Sequence, residues 1–235
     1  MNKQSNLYTI IYIIVLVTVV GTALAFTSIS LKDKQQANAN ADKMRQILAS
    51  VSINPPSDSI ISYYDKYITS TFTIDSKGQK TDANAFDVKV SDQVKLPDSE
   101  RELPVFECTL DNGEHKYILP LYGAGLWGPI WGYVSLDSDA TTIYGAYFAH
   151  QGETPGLGAE IEKPAFSSQF HGKVLFKNNE FLPVAVVKAG QHPTGDEDYV
   201  DGISGGTITS KGVGAMIDNC LKPYKSFLEA TAEAK

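Results

Sequence analysis

Residues 201–210 read DGISGGTITS, from Asp201 to Ser210: four hydroxyls, three glycines and one acid in ten residues. The stretch marks a switch in the chain. Short alternating segments precede it, and residues 210–227 have helical character, interrupted at Pro223. A helix start exposes unpaired N–H groups and a partial positive charge. Glycines let backbone approach a ligand closely. Ser204, Thr209 and Ser210 can donate further hydrogen bonds or cap the helix. The residues therefore describe an anion cradle ahead of a helix. They are equally compatible with a nucleophilic serine, a point of covalent attachment, or an ordinary Ser/Thr-capped helix start.

Two motif matches weaken on inspection. Gly202-Ile203-Ser204-Gly205-Gly206 fits G-x-S-x-G, but an α/β-hydrolase needs its histidine after the serine, and the last histidine here is His192. A chymotrypsin-like order would leave His115 or His150 as the base for Ser204. Gly123-Ala124-Gly125-Leu126-Trp127-Gly128 fits G-x-G-x-x-G, yet a dinucleotide site needs those glycines to open a helix. Pro129 and the strand-like residues 132–136 follow instead. The glycines are better suited to close packing of backbone around Trp127 and Trp131, or to the approach of a planar ligand. The four histidines are widely spaced and show no metal-ligand pattern.

Outward from this region, the 235 residues bear a formal charge of −7 with no Lys/Arg cluster, which argues against a nucleic-acid surface. Two cysteines, Cys108 and Cys220, are too few for a disulfide framework; they could form one bridge or sit as two buried thiols, and the second is the expectation. From Leu7 to Leu31 there is no charged residue, and residues 7–26 are almost wholly apolar. About 20 such residues span a bilayer as a helix. Ala23-Leu24-Ala25 resembles a signal-peptidase site and Lys3 a charged n-region, but the run exceeds the usual h-region, so a retained single-span anchor is expected. Lys3 on one side and Lys32 and Lys34 on the other give little orientation bias.

Residues 41–51 have helical spacing, with Met44, Ile47, Leu48 and Val51 on one face, and Asn54-Pro55-Pro56-Ser57 stops them. A second short helix is expected over 59–69. Strands then dominate. Residues 72–74 lead into a Ser76-Lys77-Gly78 turn, and 105–110 and 117–121 flank the hairpin signal Asp111-Asn112-Gly113. Residues 132–136 with 142–149, and 173–177 with 181–188 around Asn178-Asn179-Glu180, read as two further pairs. The expected class is α+β: a tail, 1–6; a membrane helix, 7–31; a helical linker, 32–58; and a domain, 59–235, with an antiparallel sheet and flanking helices.

Residues 201–207, Asp-Gly-Ile-Ser-Gly-Gly-Thr, resemble the flavinylation motif of the covalent FMN-binding domain family, which normally ends Ser-Gly-Ala-Thr; Gly206 replaces the alanine. Residues 152–158, Gly-Glu-Thr-Pro-Gly-Leu-Gly, resemble that family's flavin-side loop. The Gly-Leu-Trp-Gly core at 125–128 looks like that of the C subunits of sodium-translocating NADH:quinone oxidoreductases. The flavin subunit of the ferredoxin:NAD oxidoreductase complexes, a paralogue, is the near alternative. The resemblance implies FMN joined by a phosphoester to Thr207, made from FAD by a dedicated flavin transferase. It implies Ser204, Gly205, Gly206 and Thr209 around the phosphate. It further implies Gly156, Leu157, Gly158 and Trp127 against the ring, with Glu153 and Thr154 at its polar edge. By the same resemblance, the chain would be an electron-relaying subunit of a multi-subunit respiratory complex. It would be held in the inner-membrane lipid by one span, with its soluble domain in the periplasm.

Overall fold

The computed structural model describes residues 6–178 and 180–233. The expected tail with Lys3, and Asn179 of the third expected turn, lie outside the described residues. The chain divides into two compact units, Met1–Lys43 and Met44–Lys235.

Helix α1 (Asn6–Ser50) absorbs both the apolar run and the polar stretch after it. Its N-terminal part is long and apolar enough to cross a membrane. Its last turns belong to the second unit, where Ile47 and Leu48 are fully buried with Val51 just beyond. The expected second helix is α2 (Ile60–Tyr67).

The second unit is α+β and is built on a six-stranded antiparallel sheet in the order β2-β1-β3-β4-β5-β6. The strands are β1 (Ile68–Ile74), β2 (Lys80–Thr81), β3 (Leu103–Thr109), β4 (His115–Ala124), β5 (Pro129–Leu136) and β6 (Ile143–His150). A short helix, α3 (Val90–Gln93), lies between β2 and β3. The Asn112-Gly113 signal closes β3 onto β4: Gly113 has φ 81°, a left-handed value that glycine adopts without a Cβ penalty.

Both faces of the sheet are covered. Val105, Leu119, Leu121, Ile130 and Val134 face one apolar cluster, while Phe106, Cys108, Ile118 and Tyr133 face the other with Ile47 and Leu48. A sheet buried on both sides explains why its central strands read as nearly continuous apolar runs. The first face is roofed by α5 (Thr207–Leu221) and α6 (Lys225–Glu233), separated by a tight turn at Lys222–Tyr224 that contains Pro223. Before these come α4 (Pro164–Ser167), β7 (Phe176–Lys177), β8 (Glu180–Phe181), β9 (Ala185–Val187) and β10 (Tyr199–Asp201).

Two expectations change here. The strand read over 181–188 stops after Phe181, and its second half pairs in parallel with β10 rather than back onto 173–177. Pro183 supplies no N–H to a ladder, which breaks the run. The last helix also starts earlier than expected, at Thr207 instead of Ser210. Cys108 and Cys220 are both free and buried, as their number suggested. Burial pushes each thiol up to about 11, so neither is a reactive thiolate at neutral pH.

Candidate functional site

Sheet register puts the motif loops at one end of the molecule. Ala124 pairs with Pro129 at the mouth of the β4–β5 loop, and Ile130 pairs with His150, where β6 runs out into residues 151–157. Helix α5 starts beyond that end and runs back along β4: Cβ atoms added at Gly212 and Gly123 would strike Ala124 and Met216 respectively. The first turn of α5 is thereby held beside both loops.

Glu153 ties the three segments together. It is 4% exposed. One carboxylate oxygen accepts the Trp127 N–H at 2.8 Å, and the other accepts the Thr209 hydroxyl at 2.5 Å. The surrounding glycines make room for it, since a Cβ on Gly125 would lie 2.6 Å from Oε1 and one on Gly158 2.5 Å from Oε2. Burial alone would raise the Glu153 pKa. The Thr209 hydroxyl, the Trp127 and Leu126 N–H groups and nearby His150 outweigh that, and the carboxyl is held below its ordinary range as an anion.

These bonds revise two expected roles. Glu153 does not offer a free edge to a ligand, and Thr209 donates inward instead of outward; both are taken up in holding the loops against α5. Ser210 is likewise buried, and its Oγ accepts the Ile203 N–H at 2.8 Å. Thr207, in contrast, is exposed at the first position of α5. The N-cap position is Gly206 and no side chain caps the helix, so the first-turn N–H groups have no intrahelical partner.

A cleft of about 230 Å³ is lined by Glu153, Thr154, Leu157 and Gly158 from one loop, by Gly205 through Thr209 from the other, and by Leu126. Of the expected site residues, Gly156 forms the turn of its loop (φ 75°), Trp127, 69% exposed, follows the lining residue Leu126 but does not itself line the cleft, and Ser204 lines the cleft on the other side of Thr207. The sequence reading missed Leu126 and Ile208, which are 48% and 57% exposed. Together with Leu157 and Trp127 they make an apolar rim around a polar floor. The signal for Leu126 was present inside Gly-Leu-Trp-Gly; Ile208, between two threonines, gave none. The hydrolase reading loses its bases by position: the cleft that Ser204 lines includes neither His115 nor His150.

The arrangement fits an FMN. A planar apolar ring matches the rim, an accessible hydroxyl stands at Thr207, and Gly205, with φ 75°, leaves space that a Cβ would fill against Leu157. The FMN-binding domain family matches residues 125–222. The C subunit of the Na+-translocating NADH-quinone reductase of Vibrio anguillarum is 33% identical over 92% of this chain and 91% of its own length. The chain belongs to the family of these C subunits. The Yersinia pestis member is 32% identical over 90% of this chain and 87% of its own. Two crystal structures from the same family superpose on it. That from Parabacteroides distasonis has a TM-score of 0.79 and 50% identity, covering 84% of this chain and 96% of that one. NqrC of Shewanella oneidensis has a TM-score of 0.70 and 26% identity, covering 85% and 100%.

The glycine that departs from the flavinylation motif is benign in this geometry. Gly206 has φ −104°, open to any residue, and an added Cβ would sit 3.1 Å from Ile203 Cβ and 3.2 Å from Gly158 N. Gly206→Ala loses unfolded-state entropy but crowds Ile203. The two effects oppose each other, so thermal unfolding should place the variant within about 1 kcal/mol of the parent. A loss several times larger would show that the cleft does not tolerate the family's own residue.

Proposed function

We propose that this chain holds one FMN esterified through its phosphate to Thr207, and that it relays electrons between neighbouring redox centres of a Na+-translocating NADH:quinone reductase, toward quinone. One observation supports Thr207 above all: the hydroxyls of Thr209 and Ser210 are engaged inside the protein, and of the exposed Ser204 and Thr207 only Thr207 lines the cleft with the apolar rim. Attachment follows from FAD and a flavin transferase. The Thr207 oxygen replaces adenylate at the flavin-side phosphorus, AMP leaves, and the hydroxyl proton passes to solvent. Bound FMN supplies reversible electron uptake and release.

The protein's part is to bind, orient and shield. The rim of Leu126, Trp127, Leu157 and Ile208 excludes water from an apolar ring, and the exposed Thr154 hydroxyl is available to its polar edge. Glu153 acts at one remove by fixing both loops on α5. A phosphoester prevents loss of the cofactor by dissociation, which suits a carrier facing the periplasm, where free FMN is scarce. Residues 7–31 would hold the protein in the inner membrane, residues 32–58 would link them to the FMN-binding domain at 59–235, and sodium movement and quinone reduction would fall to partner subunits.

Co-expression of the full chain with a flavin transferase, followed by intact-mass analysis, tests the attachment. The parent should gain one FMN less one water and fluoresce on a denaturing gel. Thr207→Ala should gain nothing. A flavin adduct surviving in Thr207→Ala would refute the assignment.

A further inference from the structure

On the side of Thr207 away from the apolar rim lies a second cleft, of about 330 Å³. Its walls are the end of β9 with the turn after it, the 202–205 segment, and the first turns of α5. It is a built feature. The Gly202 N–H donates to the Val187 carbonyl at 2.7 Å, the Gln191 N–H to the Lys188 carbonyl at 2.9 Å, and the Gly190 N–H to the Asp201 carboxylate at 3.2 Å. Asp201, the acid that begins the flavinylation motif, therefore anchors the turn that presents Lys188.

The charge of this cleft runs against that of the protein. In a chain of net charge −7, it is lined by Lys188, Lys211 and His192. The lysines that form ion pairs lie elsewhere, and neither Lys188 nor Lys211 pairs with a carboxylate among the described residues. The adjoining cleft, which Lys211 also borders, is lined by Glu197 and Asp218, and Lys211 pairs with neither among the described residues. His192 is held by Tyr199, whose hydroxyl lies 2.6 Å from Nδ1. With Tyr199 as donor, the neutral imidazole carries its proton on Nε2. Lys211 stands four residues after Thr207 on one helix face. The first turn of α5 has no acid to offset it.

We propose that Lys188, His192 and Lys211 form a phosphate subsite, which engages the phosphoryl group at Thr207 from the side opposite the flavin ring. The inference rests on the FMN reading but adds residues outside the motif. Thr207 lines both clefts, so a phosphate on its oxygen stands at their junction, with the ring leaving toward Leu157 and the charge toward the lysines. Two ammonium groups face a phosphodiester monoanion, and neither is held in an ion pair among the described residues.

The full chain in detergent, with Thr207→Ala to block the covalent bond, isolates the phosphate's contribution. Binding of FMN and of riboflavin is followed by fluorescence quenching. Riboflavin has the same ring without the phosphate. FMN should bind about tenfold tighter than riboflavin at low salt, and the ratio should shrink as salt rises. Adding Lys188→Ala and Lys211→Ala should bring the ratio to about two or less, while Lys211→Arg should keep it near the Thr207→Ala value. Equal binding of both flavins, or a preference for FMN that survives loss of both lysines, would overturn the subsite. Inorganic phosphate titrated calorimetrically separates the two readings. If it binds in a lysine-dependent way while neither flavin binds, an anion site stands but the FMN subsite is overturned, and the FMN reading is decided separately by the intact-mass test of the parent. If neither phosphate nor flavin binds, the subsite fails, whatever the intact-mass test shows of attachment.

Discussion

Glu153→Ala is expected to lower the stability of the second unit by about 3 kcal/mol and to abolish flavin attachment, although Glu153 makes no contact with the attachment oxygen. Three donors converge on this buried carboxylate: the Thr209 hydroxyl and the N–H groups of Trp127 and Leu126. Truncation orphans them all and leaves the space kept open by Gly125 and Gly158. An unpaired buried donor costs about 1–3 kcal/mol, and partial hydration of the exposed Leu126 and Trp127 loop moderates the sum. Glu153→Gln separates charge from shape. Its oxygen can still accept the Trp127 N–H while its amide donates to the Thr209 hydroxyl, so a loss of about 1 kcal/mol and partial attachment are expected.

The pH dependence has a definite sign. The folded-state pKa of Glu153 is lowered, so its contribution is complete above the ordinary carboxylate range and is lost as pH falls through the lowered value. Urea unfolding should therefore show a parent-to-Gln difference that is flat around neutrality and shrinks in acid. A difference that grows on acidification would mean that the carboxyl is protonated in the folded protein.

Much of this arrangement was legible in the residues, for identifiable reasons. The β3–β4 hairpin announced itself because Asn112-Gly113 supplies the left-handed geometry the turn needs. The glycine-rich loop at 123–128 was separable from a nucleotide-binding loop because Pro129 and alternating residues follow it. The β9–β10 pair was not legible: three-residue strands are too short to show a period, and parallel pairing brings together segments separated by an irregular loop. The true start of α5 was hidden because Thr207 and Thr209 are β-branched hydroxyl residues that read as loop. Glu153 illustrates a deeper limit. Its sequence context says that an acid lies in a flavin-side loop, but whether the carboxylate faces ligand or protein depends on Gly125 and Gly158, distant in sequence, vacating the space it occupies. Ile208 is the converse case, an apolar side chain turned outward by the phase of a helix whose packing is set elsewhere.

That packing gives the second large effect. Gly212 lets α5 lie directly on the end of β4, because any Cβ there would overlap the Ala124 carbonyl oxygen, with Ile130 next at 3.5 Å. Ala124 is the last residue of β4, and its backbone can withdraw only by disturbing the pairing with Pro129. Gly212→Ala should therefore push α5 outward, even though alanine is the better helix former by about 1 kcal/mol. Overpacking costs about 1–3 kcal/mol, so the net change in urea unfolding is a loss of up to about 2 kcal/mol. The functional effect should be larger than the stability effect. Displacing the start of α5 stretches the Thr209–Glu153 bond and moves Thr207 away from the 152–158 loop, so flavin incorporation should fall severalfold. Gly214→Ala, two residues along the same helix, is the matched control. Its added Cβ would meet only ordinary contacts with Val186 at 3.6 Å, so stability should hold or rise by up to about 1 kcal/mol and incorporation should be unchanged. If both variants load flavin as fully as the parent, the close approach of α5 to β4 does not set the position of Thr207. If both fail alike, the helix tolerates no added bulk and the site's geometry does not depend on Gly212 in particular.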